Sequence, residues 1–246
     1  NVNLERKEQE LREINKRAAD LEKEINEINA RKKELQDELK QNNSALSSSS
    51  AGGSVNGKDI PSVSIGNQIW MTENLNVDHF RNGDPIPEAK TAEEWQKARE
   101  NKQPAWCYYN NDPSNGEKYG KLYNWYAVND PRGLAPQGWH VPSDAEWTKL
   151  TDFLGGAAVA GTKMKSTSGW DEFGNGTNSS EFSGLPGGNR IYDGTFDSIG
   201  SAGSWWSSTE SSTNNAWNRY LNYNYSLVKR YFYFKQYGFS VRCLMD

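Results

Sequence analysis

The chain has 246 residues, a formal net charge of −4 and two cysteines. This length allows one large domain or two small ones. The acidic balance argues against a nucleic-acid-binding protein, because such proteins usually carry a basic face. No run of about 18 apolar residues occurs, so the sequence predicts no membrane span. Ten tryptophans compensate for a low hydrophobic fraction of 35%, since each aromatic ring buries roughly 150–250 Å².

The first 43 residues carry the heptad pattern of a coiled coil. A narrow apolar stripe with charged flanks predicts an oligomerisation helix over residues 1–43. Isoleucine at two d positions favours three or four strands over two, and we expect a homotrimer. A helix folded back on its own domain, or an appended helix, stays open as an alternative. The a positions are Leu11, Ala18, Ile25, Lys32 and Leu39, and the d positions are Ile14, Leu21, Ile28 and Leu35.

Residues 44–57 are rich in Ser and Gly, which predicts a flexible linker. Residues 58–246 then form one domain of the α+β class. A Gly66-Asn67 turn between two short apolar runs predicts a hairpin over 62–71. Capping boxes at residues 91–94 and 143–146 predict two helices. The Gly-, Ser- and Asn-rich chain after Gly161 indicates short strands and long loops.

The segment 214–237 contains six Tyr and five Asn. Tyr gives large contact area at little cost in rotamer entropy, and Asn gives adaptable hydrogen bonds, so this composition is typical of a binding surface. We expect strands over 217–222, 231–234 and 239–243, with a turn over 222–226. The predicted exposed ligand contacts are Asn218, Tyr220, Asn222, Asn224, Tyr225, Tyr231, Tyr233 and Tyr237.

Six stretches of the chain form a recognisable set: Trp70–Leu75, Tyr119–Ala127, Gly138–Ser143, Leu185–Gly188, Trp205–Glu210 and Gly238–Cys243. Together they cover most of residues 63–246 and resemble the Fibrobacter succinogenes major paralogous domain family. The resemblance implies a C-type-lectin-like fold related to the formylglycine-generating enzymes. Some members of that fold are diversified by retroelements that rewrite adenine-containing codons, and segment 214–237 resembles such a variable region.

This resemblance implies a displayed ligand-binding protein, such as a phage receptor-binding tip or a bacterial surface lipoprotein. We therefore expect an extracellular, cell-surface or virion location and a protein or glycan receptor as partner. Two other functions stay open. One is a carbohydrate-binding surface lipoprotein of fixed specificity, and the other is a structural tip or adhesin subunit whose 214–237 face is buried against partner proteins.

Catalysis is not expected, because no nucleophile, metalloprotease or phosphate-loop motif occurs. Cys107 and Cys243 match no catalytic motif, and they form either a disulfide or two buried thiols. We expect no cofactor. Calcium stays open because oxygen ligands are abundant at residues 110–112 and 171–172, although no EF-hand spacing occurs.

Overall fold

A computed structural model describes residues 2–47, 54–55 and 58–246. The chain divides into two compact units, Asn1–Ala51 and Gly52–Asp246. The first is a single helix, α1 (Val2–Ser47), which continues four residues beyond the predicted end because Ala45 and Leu46 are good helix formers. At the end of the predicted linker, β1 (Ser54–Val55) pairs with β2 (Lys58–Asp59), the first residues of the predicted domain. Residues 48–53 and 56–57 of that linker lie outside the described residues.

The a and d positions of α1, which together are termed the heptad seam, are open to solvent in the single chain. Its apolar a and d side chains are about half exposed or more, from 49% at Leu35 to 66% at Ile28. Lys32, the one polar residue of the seam, is exposed as well, and the side chain of Leu39 lies outside the described residues. Among the described helices, none combines the length and apolar character needed to cross a bilayer.

The described part of the second unit contains one short 3-10 helix (Tyr109–Asn111) and five α-helices: α2 (Ala92–Glu100), α3 (Pro113–Tyr119), α4 (Trp125–Val128), α5 (Asp144–Phe153) and α6 (Ala157–Met164). The two predicted capping boxes are confirmed, with Thr91 and Glu94 starting α2, and Ser143 and Glu146 starting α5. Sequence patterning missed α3, α4 and α6. They span two turns or fewer, which is too short for a helical repeat of apolar residues to be visible.

The strands form two main sheets in an α+β arrangement, as expected. The four-stranded sheet has the order β3-β4-β13-β7 and the five-stranded sheet the order β12-β11-β10-β8-β9, and β5 pairs with β6. Among the pairings of the described strands, only that of β10 with β8 is parallel. The strands are β3 (Ser62–Ile65), β4 (Gln68–Met71), β5 (Trp106–Cys107), β6 (Leu122–Tyr123), β7 (Trp139–His140), β8 (Gly187–Arg190), β9 (Phe196–Ile199), β10 (Ala202–Ser212), β11 (Asn215–Asn222), β12 (Lys229–Phe234) and β13 (Leu244–Met245).

The predicted strand over 239–243 is wrong. Phe239 and Ser240 make only isolated bridges, to Tyr123 and Trp205 respectively, and the strand proper is β13. The segment contacts several different neighbours in turn, so no single partner strand extends the pairing. Phe239, Val241 and Cys243 all lie in one core cluster, and Ser240 and Arg242 between them are buried as well.

Tryptophan supplies much of the core. Nine of the ten Trp residues are buried, and Trp217 is the exception. Trp125, Trp139 and Trp206 belong to one cluster, and Trp70, Trp147 and Trp205 belong to a second cluster around Phe182. A smaller third cluster surrounds Trp95. These rings therefore fill the interior and do not form an exposed aromatic site.

A buried guanidinium connects the two ends of this domain. Arg242 is fully buried and donates hydrogen bonds to the carbonyl oxygens of Met71 and Phe182 and to Oδ1 of Asn74. Burial lowers the pKa of Arg242 to about 9. Asn74 Oδ1 also accepts from Trp205 Nε1 at 2.8 Å, so a single amide oxygen is shared by several buried donors.

We expect Asn74→Ala to lower the free energy of unfolding by about 3 kcal/mol or more. The substitution removes the acceptor of several buried donors, and each unsatisfied donor costs about 1–3 kcal/mol. Chemical denaturation measures the loss. Gln103→Ala is the matched control, since Gln103 is exposed and its side chain makes no hydrogen bond within the described residues. A loss for Asn74→Ala no larger than that of the control would contradict the network.

Candidate ligand-binding surface

One face of the β11–β12 hairpin carries a continuous group of tyrosines. Tyr231 lies 5.9 Å from Tyr220 and 6.2 Å from Tyr233 between ring centroids. Tyr233 continues to Tyr237 at 5.1 Å, and Tyr237 to Tyr192 at 5.9 Å. Such spacings are those of aromatic pairs in contact. With Lys229 and Tyr225, whose ring lies 4.3 Å from the Lys229 ammonium, these residues are termed the tyrosine surface.

The strand register explains why these rings share a face. Asn218 pairs with Tyr231 and Ala216 with Tyr233 in the antiparallel β11–β12 ladder, and paired residues point to the same side. Tyr220 is opposite Lys229 on the same side. Alternate residues of each strand therefore bring the predicted contacts together.

Seven of the eight predicted contact residues are at least partly accessible. Asn224 and Tyr231 are exposed, and the others are intermediate: Tyr220, Asn222, Tyr225, Tyr233 and Tyr237. The prediction is wrong for Asn218, which is fully buried and not an exposed contact. Its side chain points to the expected face, but there it lies between the cross-strand neighbours Trp206 and Tyr231, whose larger side chains cover it.

Asn218 also breaks a rule of buried polar groups. Neither its amide nitrogen nor its amide oxygen has a hydrogen-bond partner in the described part of the chain. A buried polar group without a partner costs free energy, so stability alone does not explain an asparagine at this position.

The loop over 222–228, which joins β11 to β12, is held by its main chain. The buried ammonium of Lys165 donates to the carbonyl oxygens of Asn222, Tyr223 and Tyr225 at 3.0–3.4 Å. Further main-chain hydrogen bonds join residues 223, 226 and 228 to residues 201, 162 and 157 respectively. These contacts do not depend on side-chain identity. Some loop side chains also contribute, since Val228 is buried, Asn222 Oδ1 accepts from Asn224 N and Ser226 Oγ donates to the Ala158 carbonyl oxygen.

Charge at the tyrosine surface is concentrated on one side chain. The neighbouring Tyr225 and Tyr231 raise the pKa of Lys229 above its ordinary value, and a lysine is cationic at neutral pH even without such a shift. Burial raises the pKa of Tyr220, Tyr233 and Tyr237, so their hydroxyls stay protonated and can both donate and accept hydrogen bonds. The surface thus offers aromatic area, hydroxyls and one positive charge.

The opposite face of the hairpin is fixed to helix α5. Arg219 and Arg230 both donate to the carboxylate of Asp144, at 2.7 Å and 2.9 Å. The Arg230 guanidinium lies 3.3 Å above the Trp217 ring, and Phe232 packs edge-on against that ring. Burial raises the pKa of Asp144, but the hydrogen bonds from the two arginines prevail and lower it overall, so the anchor is ionised at neutral pH.

The remaining candidate residues have structural roles. Cys107 and Cys243 are two buried free thiols in separate core clusters, and burial raises the pKa of each to about 12. His140 lies 2.8 Å from an Asp246 carboxylate oxygen and 3.1 Å from one of Glu146. The Asp112 carboxylate caps α3. Within the described residues, no cluster of three or more His, Cys, Asp or Glu side chains could hold a metal ion.

Sequence reasoning missed Tyr192 and Lys229. Tyr192 lies in the turn between β8 and β9, more than twenty residues before segment 214–237, and no local pattern links it to that segment. Lys229 lies within the segment, but its role depends on its place between Tyr225 and Tyr231. The alternation of β12 was the available signal, since it puts Lys229 on the face of Tyr231 and Tyr233.

A family model described as the Fibrobacter succinogenes major domain matches residues 63–245. The chain belongs to this family. No curated relative matches the chain. The tyrosine surface and the Arg242 network both lie within the Fibrobacter succinogenes major domain. Three of the six stretches that carry the resemblance meet in that network, because they contain Asn74, Trp205 and Arg242.

We expect Asn218→Leu to raise the free energy of unfolding by about 1 kcal/mol, because it removes two unsatisfied buried polar atoms and keeps the branched shape of the side chain. Chemical denaturation of the full chain measures the change. Asn222→Leu is the matched control on the same face. Its amide donates to the Tyr220 hydroxyl and accepts from Asn224 N, so we expect no gain there. Destabilisation by Asn218→Leu would show that the amide has partners.

Proposed function

We propose that the chain is a displayed ligand-binding protein that holds a protein or glycan receptor on its tyrosine surface and catalyses no reaction. The observation that carries this proposal is the continuity of accessible tyrosines across β11, β12 and the adjoining loops. Rigid aromatic side chains with adaptable polar neighbours are typical of selected binding surfaces. The location that fits this role is the cell exterior or a virion.

A second part of the proposal concerns fold and diversification. We assign the domain to the C-type-lectin-like fold and segment 214–237 to a region rewritten by a diversity-generating retroelement. Two features support diversification. The loop over 222–228 is held largely through main-chain atoms, so its exposed side chains, such as that of Asn224, can change. Asn218 is buried without a partner, and departures from local stability rules are expected where function sets the residue.

A non-catalytic role agrees with the state of the usual reactive groups. The two thiols are buried and neutral, whereas cysteine chemistry requires an accessible thiolate. Both ring nitrogens of His140 lie within hydrogen-bond distance of a carboxylate, that of Asp246 and that of Glu146 in α5. These residues therefore supply no exposed nucleophile next to the tyrosine surface.

The proposal also includes oligomerisation through α1, which is termed the stalk. The open apolar seam of α1 is proposed to pack against the same seam of two further chains. Three linked domains would bind a receptor array with avidity even when each domain binds weakly, provided that the receptor sites can be spanned together.

The binding role is tested with two display libraries of the full chain. The first randomises the seven accessible predicted contacts, and the second randomises seven exposed residues elsewhere: Lys90, Glu93, Lys97, Glu100, Gln103, Glu117 and Lys118. Each is selected against a purified target such as lysozyme. We expect specific binders from the first library alone. Equal recovery from both, or a first library that does not fold, would contradict the proposal.

The stalk is tested by light scattering on the full chain. We expect three times the mass of one chain for the unmodified protein and a single-chain mass for Leu21→Lys/Ile28→Lys, because charges at d positions disrupt the seam. The control Ala19→Lys/Asn26→Lys adds the same charge at b positions and should stay trimeric. A single-chain mass for the unmodified protein would remove the avidity argument.

A further inference from the structure

A cavity of about 340 Å³ adjoins the tyrosine surface at Tyr192. This volume is within the range of about 300–1,000 Å³ of small-molecule sites. Its lining comes from separated parts of the chain: α2, the β8–β9 turn, the β10–β11 turn and the end of β12. The lining residues are Arg99, Tyr192, Asn214, Phe234 and Gln236.

Hydrogen bonds from neighbouring side chains hold the walls of this cavity in place. The buried guanidinium of Arg190 donates to the carbonyl oxygens of Gly194 and Thr91, which ties the β8–β9 turn to the start of α2. Gln96 Nε2 donates to the Asp193 carbonyl oxygen at 2.7 Å. Trp95 Nε1 donates to the Gln236 carbonyl oxygen at 3.1 Å. The site is therefore largely formed before any ligand arrives, which lowers the entropy cost of binding.

Arg99 gives the cavity a cation that contacts an aromatic ring but no anion within the described residues. Its guanidinium lies 5.8 Å from the centre of the Tyr192 ring. It makes no salt bridge or side-chain hydrogen bond within the described residues. Asp193, the carboxylate of the adjoining turn, is bound by the main-chain nitrogen and hydroxyl of Thr195. An arginine fork of this kind matches a carboxylate in shape and charge.

The other walls fit a sugar ring. Tyr192 and Phe234 are 41% and 48% exposed and meet at 84° with centroids 6.3 Å apart, which makes an apolar corner for the C–H face of a saccharide. The side-chain amides of Asn214 and Gln236 both donate and accept, as hydroxyl recognition requires.

We propose that this cavity binds a carboxylate-bearing sugar, with Arg99 paired to the carboxylate and the sugar ring packed on Tyr192 and Phe234. The inference rests on the proposed function, since Asn214, Phe234 and Gln236 belong to segment 214–237. Arg99 and Tyr192 lie outside that segment. They would therefore fix the class of ligand, while the segment sets the preference within the class.

The test compares glucuronate with glucose, which differ at one carbon that carries a carboxylate in the first and a hydroxymethyl group in the second. Calorimetry or ligand-detected NMR with the full chain should show glucuronate binding roughly tenfold or more tighter than glucose, the gain expected for a charge-assisted pair. Arg99→Ala should remove that preference. Lys97→Ala, which removes an exposed charge from the same helix, should leave it unchanged.

Phe234→Ala is a second variant, since it shortens an exposed ring and should weaken both sugars together. Absence of glucuronate binding, equal binding of the two sugars, or an unchanged preference in Arg99→Ala would each overturn the inference. If glucuronate fails while the library at the tyrosine surface still yields binders, only this inference falls. If that library fails too, the proposed function falls with it.

Discussion

Buried cations bonded to main-chain carbonyl oxygens hold this domain together. Arg242 joins the segment after β4 to the loop before β8 and to the C-terminal segment. Arg190 joins the start of α2 to the β8–β9 turn, and Lys165 fixes the loop over 222–228. Long irregular stretches leave many carbonyl groups without a ladder partner, and a buried side chain with several donors satisfies a group of them at once.

The hydrogen bonds of these buried cations also separate the fixed framework of the domain from the tyrosine surface. Lys165 holds its loop through carbonyl oxygens, and Arg219 holds β11 through Asp144 on the face opposite the tyrosines. The rings of the tyrosine surface contact one another, and Tyr233 and Tyr237 also pack against the buried ring of Phe239. A side chain there can be exchanged at the cost of its own contacts, whereas exchange of Arg242 or Asn74 would leave buried partners unsatisfied. This division suits a protein whose role is to present different contacts on one fixed framework.

Sequence reasoning succeeded where the signal was local. Capping boxes located α2 and α5, the Gly66-Asn67 turn located the first hairpin, and tyrosine alternation located the β11–β12 face. It failed where placement depends on distant partners. Residues 239–243 look like a strand but bridge several segments, and Asn218 has the alternation of an exposed residue but lies beneath its neighbours. Tyr192 and Arg99 join the surface only through the contacts of Arg190 and Gln96, which no local pattern reveals.

The most direct test of a diversified binding surface is to sequence copies of this gene from sister strains. The account predicts that differences concentrate at the accessible positions of segment 214–237. They should spare Ala216, Arg219 and Leu221, whose buried side chains hold β11 in place, and residues 238–243. Copies in which segment 214–237 differs no more than residues 58–213 would contradict diversification and leave a binding surface of fixed specificity.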